Sequence, residues 1–174
     1  VTNRAQRLTN LVLLQVAVIG PLLLASRQPI VAAAMGWGAC AVQVAVGTSR
    51  RRDLALMAIG GVLGTGVELG AAGIGLMQFV GSGPVEGLPL WVPPSWAMLA
   101  VTFAYLLVRL RGRFVPSAVV GGLGSAASLG AATSAGEIAV DGAGRFAIVA
   151  VALGVAVGVV SVIAARLDSR ERDS

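Results

Sequence analysis

Long apolar stretches, separated by short clusters of arginine, glycine and proline, run the length of the chain. Six stand out: Leu8 to Ala25, Pro29 to Gly47, Leu54 to Val80, Trp91 to Leu110, Phe114 to Ala135 and Phe146 to Ala165. Each is long enough to cross a hydrocarbon layer of ~30 Å at a rise of ~1.5 Å per residue. The runs are continuous and lack the period of two that marks the strands of a membrane barrel, so they predict helices. The expected fold is an all-α polytopic bundle of six transmembrane helices, with residues 1–174 forming a single domain.

Composition agrees with the pattern. Of 174 residues, 56% are hydrophobic and only 12% are charged, with a mean hydropathy of +0.87. Such a chain has too little polar surface to cover itself in water, so the bilayer is its expected partner. Arginine placement then predicts orientation. Counted in alternate loops, one side holds Arg4, Arg7, Arg50 to Arg52, Arg109, Arg111, Arg113, Arg166, Arg170 and Arg172, and the other only Arg27 and Arg145. Positive charge collects in cytoplasmic loops, which predicts both termini inside. The start, with Arg4 and Arg7 before an apolar run ending near Ala25, also resembles a signal peptide. Asn10 and Gln15 interrupt that run, however, and its length suits a retained span.

The residue types exclude much chemistry. All thirteen cations are Arg, and the chain has neither Lys nor His, so Schiff-base catalysis, an imidazole base and histidine-ligated metal are ruled out. Cys40 is the single cysteine and reads as a small apolar residue within a helix. No phosphate-binding loop, nucleophile elbow or paired-cysteine motif is present. No metal and no cofactor are expected. The formal charge of +5 sits at the ends of apolar runs, where it fixes orientation and does not call for nucleic acid.

Small residues recur at helical spacing: Gly60 with Gly64, Gly61 with Thr65, Gly66 with Gly70, Gly121 with Ser125, Gly124 with Ser128 and Gly154 with Gly158. In lipid, close backbone approach through such residues drives helix association. They predict contacts inside the bundle, and Gly154 with Gly158 offers a route to a homo-oligomer.

Glu68 is the most informative polar residue. It lies fourteen positions after Leu54, ~21 Å from that boundary. A carboxylate at such depth costs about 2.5–3.5 kcal/mol on insertion scales. Small neighbours on its helix face, including Gly61, Gly64, Thr65 and Ala72, turn it toward the bundle. Ser128 reaches the same depth on the fifth segment, and Trp96 and Thr102 bracket it on the fourth. Glu68, Ser128 and Thr102 are therefore the candidate ligand or ion-pathway residues, with Glu68 the candidate catalytic acid. Gln15 and Gln43 fall at a common depth and predict an interhelical amide bond. Trp91 and Trp96, flanking Pro93 and Pro94, read as headgroup anchors. Glu86, Glu137 and Asp141 read as solvated charges of an acidic outer rim.

The order of features carries a resemblance. An arginine-rich loop, then Gly64-Thr65-Gly66-Val67-Glu68, then Pro89-Leu90-Trp91-Val92-Pro93-Pro94-Ser95-Trp96, then a helix ending in arginines, resembles a family of small bacterial inner-membrane proteins of unknown function. That resemblance implies a six-helix fold and a bacterial cytoplasmic membrane. Members of that family usually carry Asp where this chain has Glu68. Residues 68 to 98 also resemble a stretch of carotenoid hydratase-type membrane proteins. Two functions are thereby expected: a transporter-like or accessory bundle, or a membrane enzyme on an isoprenoid, carotenoid or other lipid with Glu68 as acid.

Overall fold

The computed structural model describes residues 4–25, 27–80 and 89–173, the last four by backbone alone. Glu86, expected on an outer rim, lies outside the described residues. Six helices form the bundle: α1 (Arg4–Leu24), α2 (Pro29–Val46), α3 (Arg50–Gly73), α4 (Val92–Tyr105), α5 (Phe114–Ser134) and α6 (Gly142–Asp173). Two short strands, β1 (Gln78–Phe79) and β2 (Ile138–Ala139), pair antiparallel. Five helices, all but α4, are long and apolar enough to cross a membrane. Their exposed faces carry Val12, Leu23, Val62, Leu123 and Val151, as lipid-facing surfaces require. The chain is a multi-pass membrane protein.

Consecutive helices pair, α1 with α2, α3 with α4 and α5 with α6, and α4 also touches α1, α2 and α6. It is the axis of the bundle. The sequence predicts a fourth helix to Leu110, but α4 ends at Tyr105 and spans only ~21 Å. Surrounded by other helices, it has little lipid face to fill, and non-helical backbone is tolerated at depth when protein covers it. The turn that follows bonds within itself and onto α6: Leu107 N–H reaches the Thr102 carbonyl, Gly112 N–H the Ser161 carbonyl at 3.0 Å, and the Ser117 hydroxyl the Leu110 carbonyl at 2.9 Å.

The third segment is also cut short, at Gly73 where the pattern runs to Val80. Gly75 takes a φ of +74°, open to glycine at no steric cost, and Leu76 N–H closes back on the Ala71 carbonyl. Helix α5 ends identically, with Gly136 at φ +76° and Glu137 N–H on the Ala132 carbonyl. Each cap leads into one strand of the β1–β2 ribbon. The third and fifth segments, both glycine-rich and both preceded by arginines, therefore share a termination as well as a composition.

Small residues do the packing expected of them at some sites. A methyl group on Gly64 would fall inside the Trp96 ring, and one on Gly60 would meet Ala100. Gly121 lies against Val157, and a methyl on Gly154 would come within 2.6 Å of the Ala118 carbonyl and 2.8 Å of Gly122. Gly158 packs on the Phe114 ring. The Gly154–Gly158 face is thus occupied by α5 of the same chain. Gly66, Gly70 and Gly124 face open space.

Ion pairs gather the arginine clusters at one end. Asp168 of α6 accepts Arg111 at 2.9 Å and Arg52 at 3.6 Å, joining the α4–α5 turn, the start of α3 and the end of α6. Arg145 lies at the opposite end, its guanidinium on the Gly75 carbonyl at 3.2 Å.

Candidate functional site

Glu68 sits in the last third of α3, where α3 crosses α4 closely because Gly60 and Gly64 leave room for Trp96. Trp96 is not a headgroup anchor: it is buried, and its indole N–H donates to Glu68 Oε1 at 2.7 Å. A central helix turns its aromatics onto neighbouring helices, which removes Trp96 from the membrane interface. The second oxygen, Oε2, is buried without a hydrogen-bond partner among the described residues. A buried acceptor left open costs about 1–3 kcal/mol, so its presence asks for an explanation.

Glu68 and Trp96 line a cleft of about 490 Å³. Leu14 and Val18 of α1 form one wall, Leu99 and Phe103 of α4 the floor, and Val120 of α5 with Val157 of α6 the other wall. Ile19 and Val120 line the cleft and are also exposed, so it opens sideways between α1 and α5. Ser128 lines the same cleft, as do Ser125 and Gln15. No hydrogen bond joins Ser128 to Glu68. Two further lining hydroxyls are engaged within the chain, Ser95 with the Ala17 carbonyl at 2.6 Å and Ser117 with Leu110.

Thr102 does not belong with them. Its hydroxyl bonds the Leu99 carbonyl one turn back, and its side chain is wholly buried away from the cleft lining. The predicted bond between Gln15 and Gln43 is also absent. Gln15 is exposed, whereas Gln43 accepts from Asn10 Nδ2 at 3.2 Å and donates to Asp53 Oδ2 at 3.4 Å. Five residues turn a helix by about 140° past a full revolution, so Asn10 and Gln15 face different sides of α1. Glu137 is buried too, where a solvated charge is expected, because the β1–β2 ribbon folds it under.

A second polar centre lies at the arginine-rich end. Asp53 is fully buried in the first turn of α3 and accepts from Tyr105 at 2.6 Å as well as from Gln43. Tyr105 in turn accepts Thr48 N–H at 2.8 Å and carries the Arg52 guanidinium over its ring at 5.4 Å. This centre ties α1, α2, α3 and α4 together. In the sequence, Asp53 directly follows three arginines and precedes the third apolar run. The signal that distinguishes it is its place in a first helical turn, at the depth of Asn10 and Gln43.

A larger groove of about 920 Å³ runs between α2 and α3, past Trp37, Leu54 and Val62. No ionisable side chain lines it apart from the buried thiol of Cys40, already directed to the Pro94 carbonyl. The Glu68 cleft therefore remains the candidate site. Among the described residues no group of three potential metal ligands occurs.

The model of a family described as "Protein of unknown function (DUF2878)" matches residues 7–160. The chain belongs to that family. No curated protein and no solved structure matches this DUF2878 chain. The match covers every residue that lines the cleft, from Leu14 to Val157, and every residue of the Asp53 centre, and it assigns a role to none of them.

Proposed function

We propose that this DUF2878 protein takes a lipid-like molecule from the bilayer into the cleft between α1 and α5 and holds it against Glu68. The observation that carries this reading is the buried Glu68 Oε2, without a partner among the described residues in a cleft whose walls are mostly apolar. Of the two expected functions, the geometry favours the lipid one over the transporter-like one. A path for a hydrated solute needs polar groups along its length. Here the cleft is walled by Leu14, Leu99, Phe103 and Val157, and it opens toward lipid. The likeness of residues 68 to 98 to carotenoid hydratase-type proteins points the same way, toward a long apolar substrate and Glu68 as its acid. The arginine-rich end is assigned to the cytoplasm and the membrane to the bacterial inner membrane, on the positive-inside rule and the family resemblance.

Intrinsic fluorescence tests the uptake. Trp91 and Trp96 line the cleft and Trp37 lies in the outer groove, so a Trp37→Phe background isolates the cleft signal. Titrating mid-chain brominated lipids into nanodiscs should quench that signal saturably, and unlabelled lipid should relieve it. A strictly linear quench with no competition would mean ordinary bilayer contact and would sink the proposal.

A further inference from the structure

We infer that the cleft takes an acyl-ester lipid from the leaflet at the ribbon face, with the lipid's ester carbonyls accepting hydrogen bonds from Glu68, Ser125 and Ser128 and its tail running toward the arginine-rich end. This rests on the cleft being a lipid site and goes on to name the ligand's polar group and the way it lies.

The lining is graded along the bundle. Glu68 is five residues from the end of α3 at Gly73 and Ser128 six from the end of α5 at Ser134, ~8 and ~9 Å below the ribbon-side helix ends. Ser125 and Gln15 follow, each nine residues from the ribbon-side end of its helix, ~14 Å down. Beyond them the walls are Phe103, Leu107, Leu110, Val120 and Val157, and the Ser117 hydroxyl in that half is taken by the Leu110 carbonyl. A bilayer of ~40–45 Å encloses a hydrocarbon layer of ~30 Å, so its interfacial layer is ~5–8 Å deep on each side. Ester carbonyls lie at the base of that layer, with apolar chains beneath. The early end of α3 at Gly73 sets Glu68 at this level.

Chemistry selects the carbonyl. In the acid form that the proposed reading requires, Glu68 Oε1 accepts the Trp96 indole N–H while Oε2 carries the proton and donates into the cleft. Ser125, Ser128 and Gln15 add hydroxyl and amide donors, and the two serines make no hydrogen bond among the described residues. Several donors at one level call for an acceptor, and an ester carbonyl is an uncharged one. A carboxylate also accepts, but no arginine lines the cleft to balance its charge, and burying an unpaired charge is costly. A dialkyl ether lipid keeps the shape and headgroup and lacks the carbonyl oxygen.

The test uses the Trp37→Phe protein in nanodiscs of dialkyl ether phosphatidylcholine, reading the saturable quenching of Trp91 and Trp96 by brominated probes. Brominated diacyl phosphatidylcholine should bind roughly five- to tenfold more tightly than its brominated dialkyl analogue, the worth of one hydrogen bond. Glu68→Gln should keep that preference, because its amide oxygen faces the indole and its N–H donates as the acid does. Glu68→Leu should abolish it. Ser125→Ala with Ser128→Ala should weaken the diacyl probe more than the dialkyl one while leaving the melting temperature unchanged. Bromine beside the ester should quench the bound state more strongly than bromine at the chain end. Equal binding of the two probes, or a preference lost in Glu68→Gln, would overturn the carbonyl assignment while keeping the cleft as a lipid site. Stronger quenching from the chain end would overturn the orientation. Saturable binding of neither probe would instead remove the lipid reading itself.

Discussion

The Tyr105 hydroxyl donates to Asp53 Oδ2 at 2.6 Å, joining the last residue of α4 to the first turn of α3. Both side chains are fully buried, and the bond lies where the irregular turn after α4 begins. It fixes the end of a helix too short to anchor itself in both membrane faces. Leu107 and Leu110, which close one end of the cleft, hang from that turn.

Removing the hydroxyl should therefore loosen more than one contact. Tyr105→Phe leaves Asp53 with Gln43 and Arg52 only, and a charge-assisted bond is worth about 1.5–3 kcal/mol. Thermal unfolding in nanodiscs should fall accordingly. Tyr105→Phe combined with Asp53→Asn should cost less than the sum of the two, because they share one interaction. Strictly additive losses would show that the hydroxyl and carboxylate act independently.

Helix existence was legible because continuous apolar runs leave no alternative in lipid, and all six predicted segments are helical. Helix ends were less so. The run to Val80 does not reveal that Gly75 turns the chain, because composition within a span carries no cue to a positive φ. Nor does the apolar run to Leu110 show that α4 is enclosed and can stop early. At the site, Glu68 and Ser128 are recoverable from depth alone, since an acid within a span must face protein. Thr102 lies six residues past Trp96, ~9 Å nearer the Asp53 end, so it shares neither the depth nor the direction. The Asp53 centre was hidden by its neighbours: three arginines in a row look like a solvated loop, although one position further the helix has already entered the bundle.

Glycine packing gives a contrast within one helix. A methyl at Gly64 collides with the buried Trp96 ring, whereas one at Gly66 meets nothing within 4 Å. Gly64→Ala should destabilise by about 1–3 kcal/mol, the usual cost of overpacking. Gly66→Ala should be neutral or slightly stabilising. Thermal melts of the two variants decide it, and a tolerated Gly64→Ala would mean that α3 and α4 part easily.

Topology follows from the placement of the arginines. Reporter fusions after Arg52, Arg113 and Ser174 should read cytoplasmic, and fusions near Gly83 and Gly142 external. The Arg52–Asp168–Arg111 cluster requires the first three to agree with one another whatever the orientation. An external signal at Arg113 alone would break the alternation of six passes. External signals at all three would keep the fold and invert it.

Glu68 separates a packing role from a functional one. In Glu68→Gln the amide oxygen can still accept the Trp96 indole N–H, so the α3–α4 crossing should hold and the melting temperature should stay close to that of the unaltered protein. What changes is the other atom: an acceptor able to carry charge becomes a fixed donor facing the cleft. If Glu68 serves only to satisfy Trp96, a strain lacking the chromosomal copy should be fully complemented by Glu68→Gln. If Glu68 acts on a bound molecule, complementation should fail while the protein accumulates normally in the membrane. Glu68→Leu calibrates the structural side, since it leaves the buried indole N–H without an acceptor and should cost about 1–3 kcal/mol. A stable Glu68→Gln protein without function, beside a less stable Glu68→Leu protein, is the expected pair. Full complementation by Glu68→Gln would assign the carboxyl to packing and withdraw the cleft as the functional site.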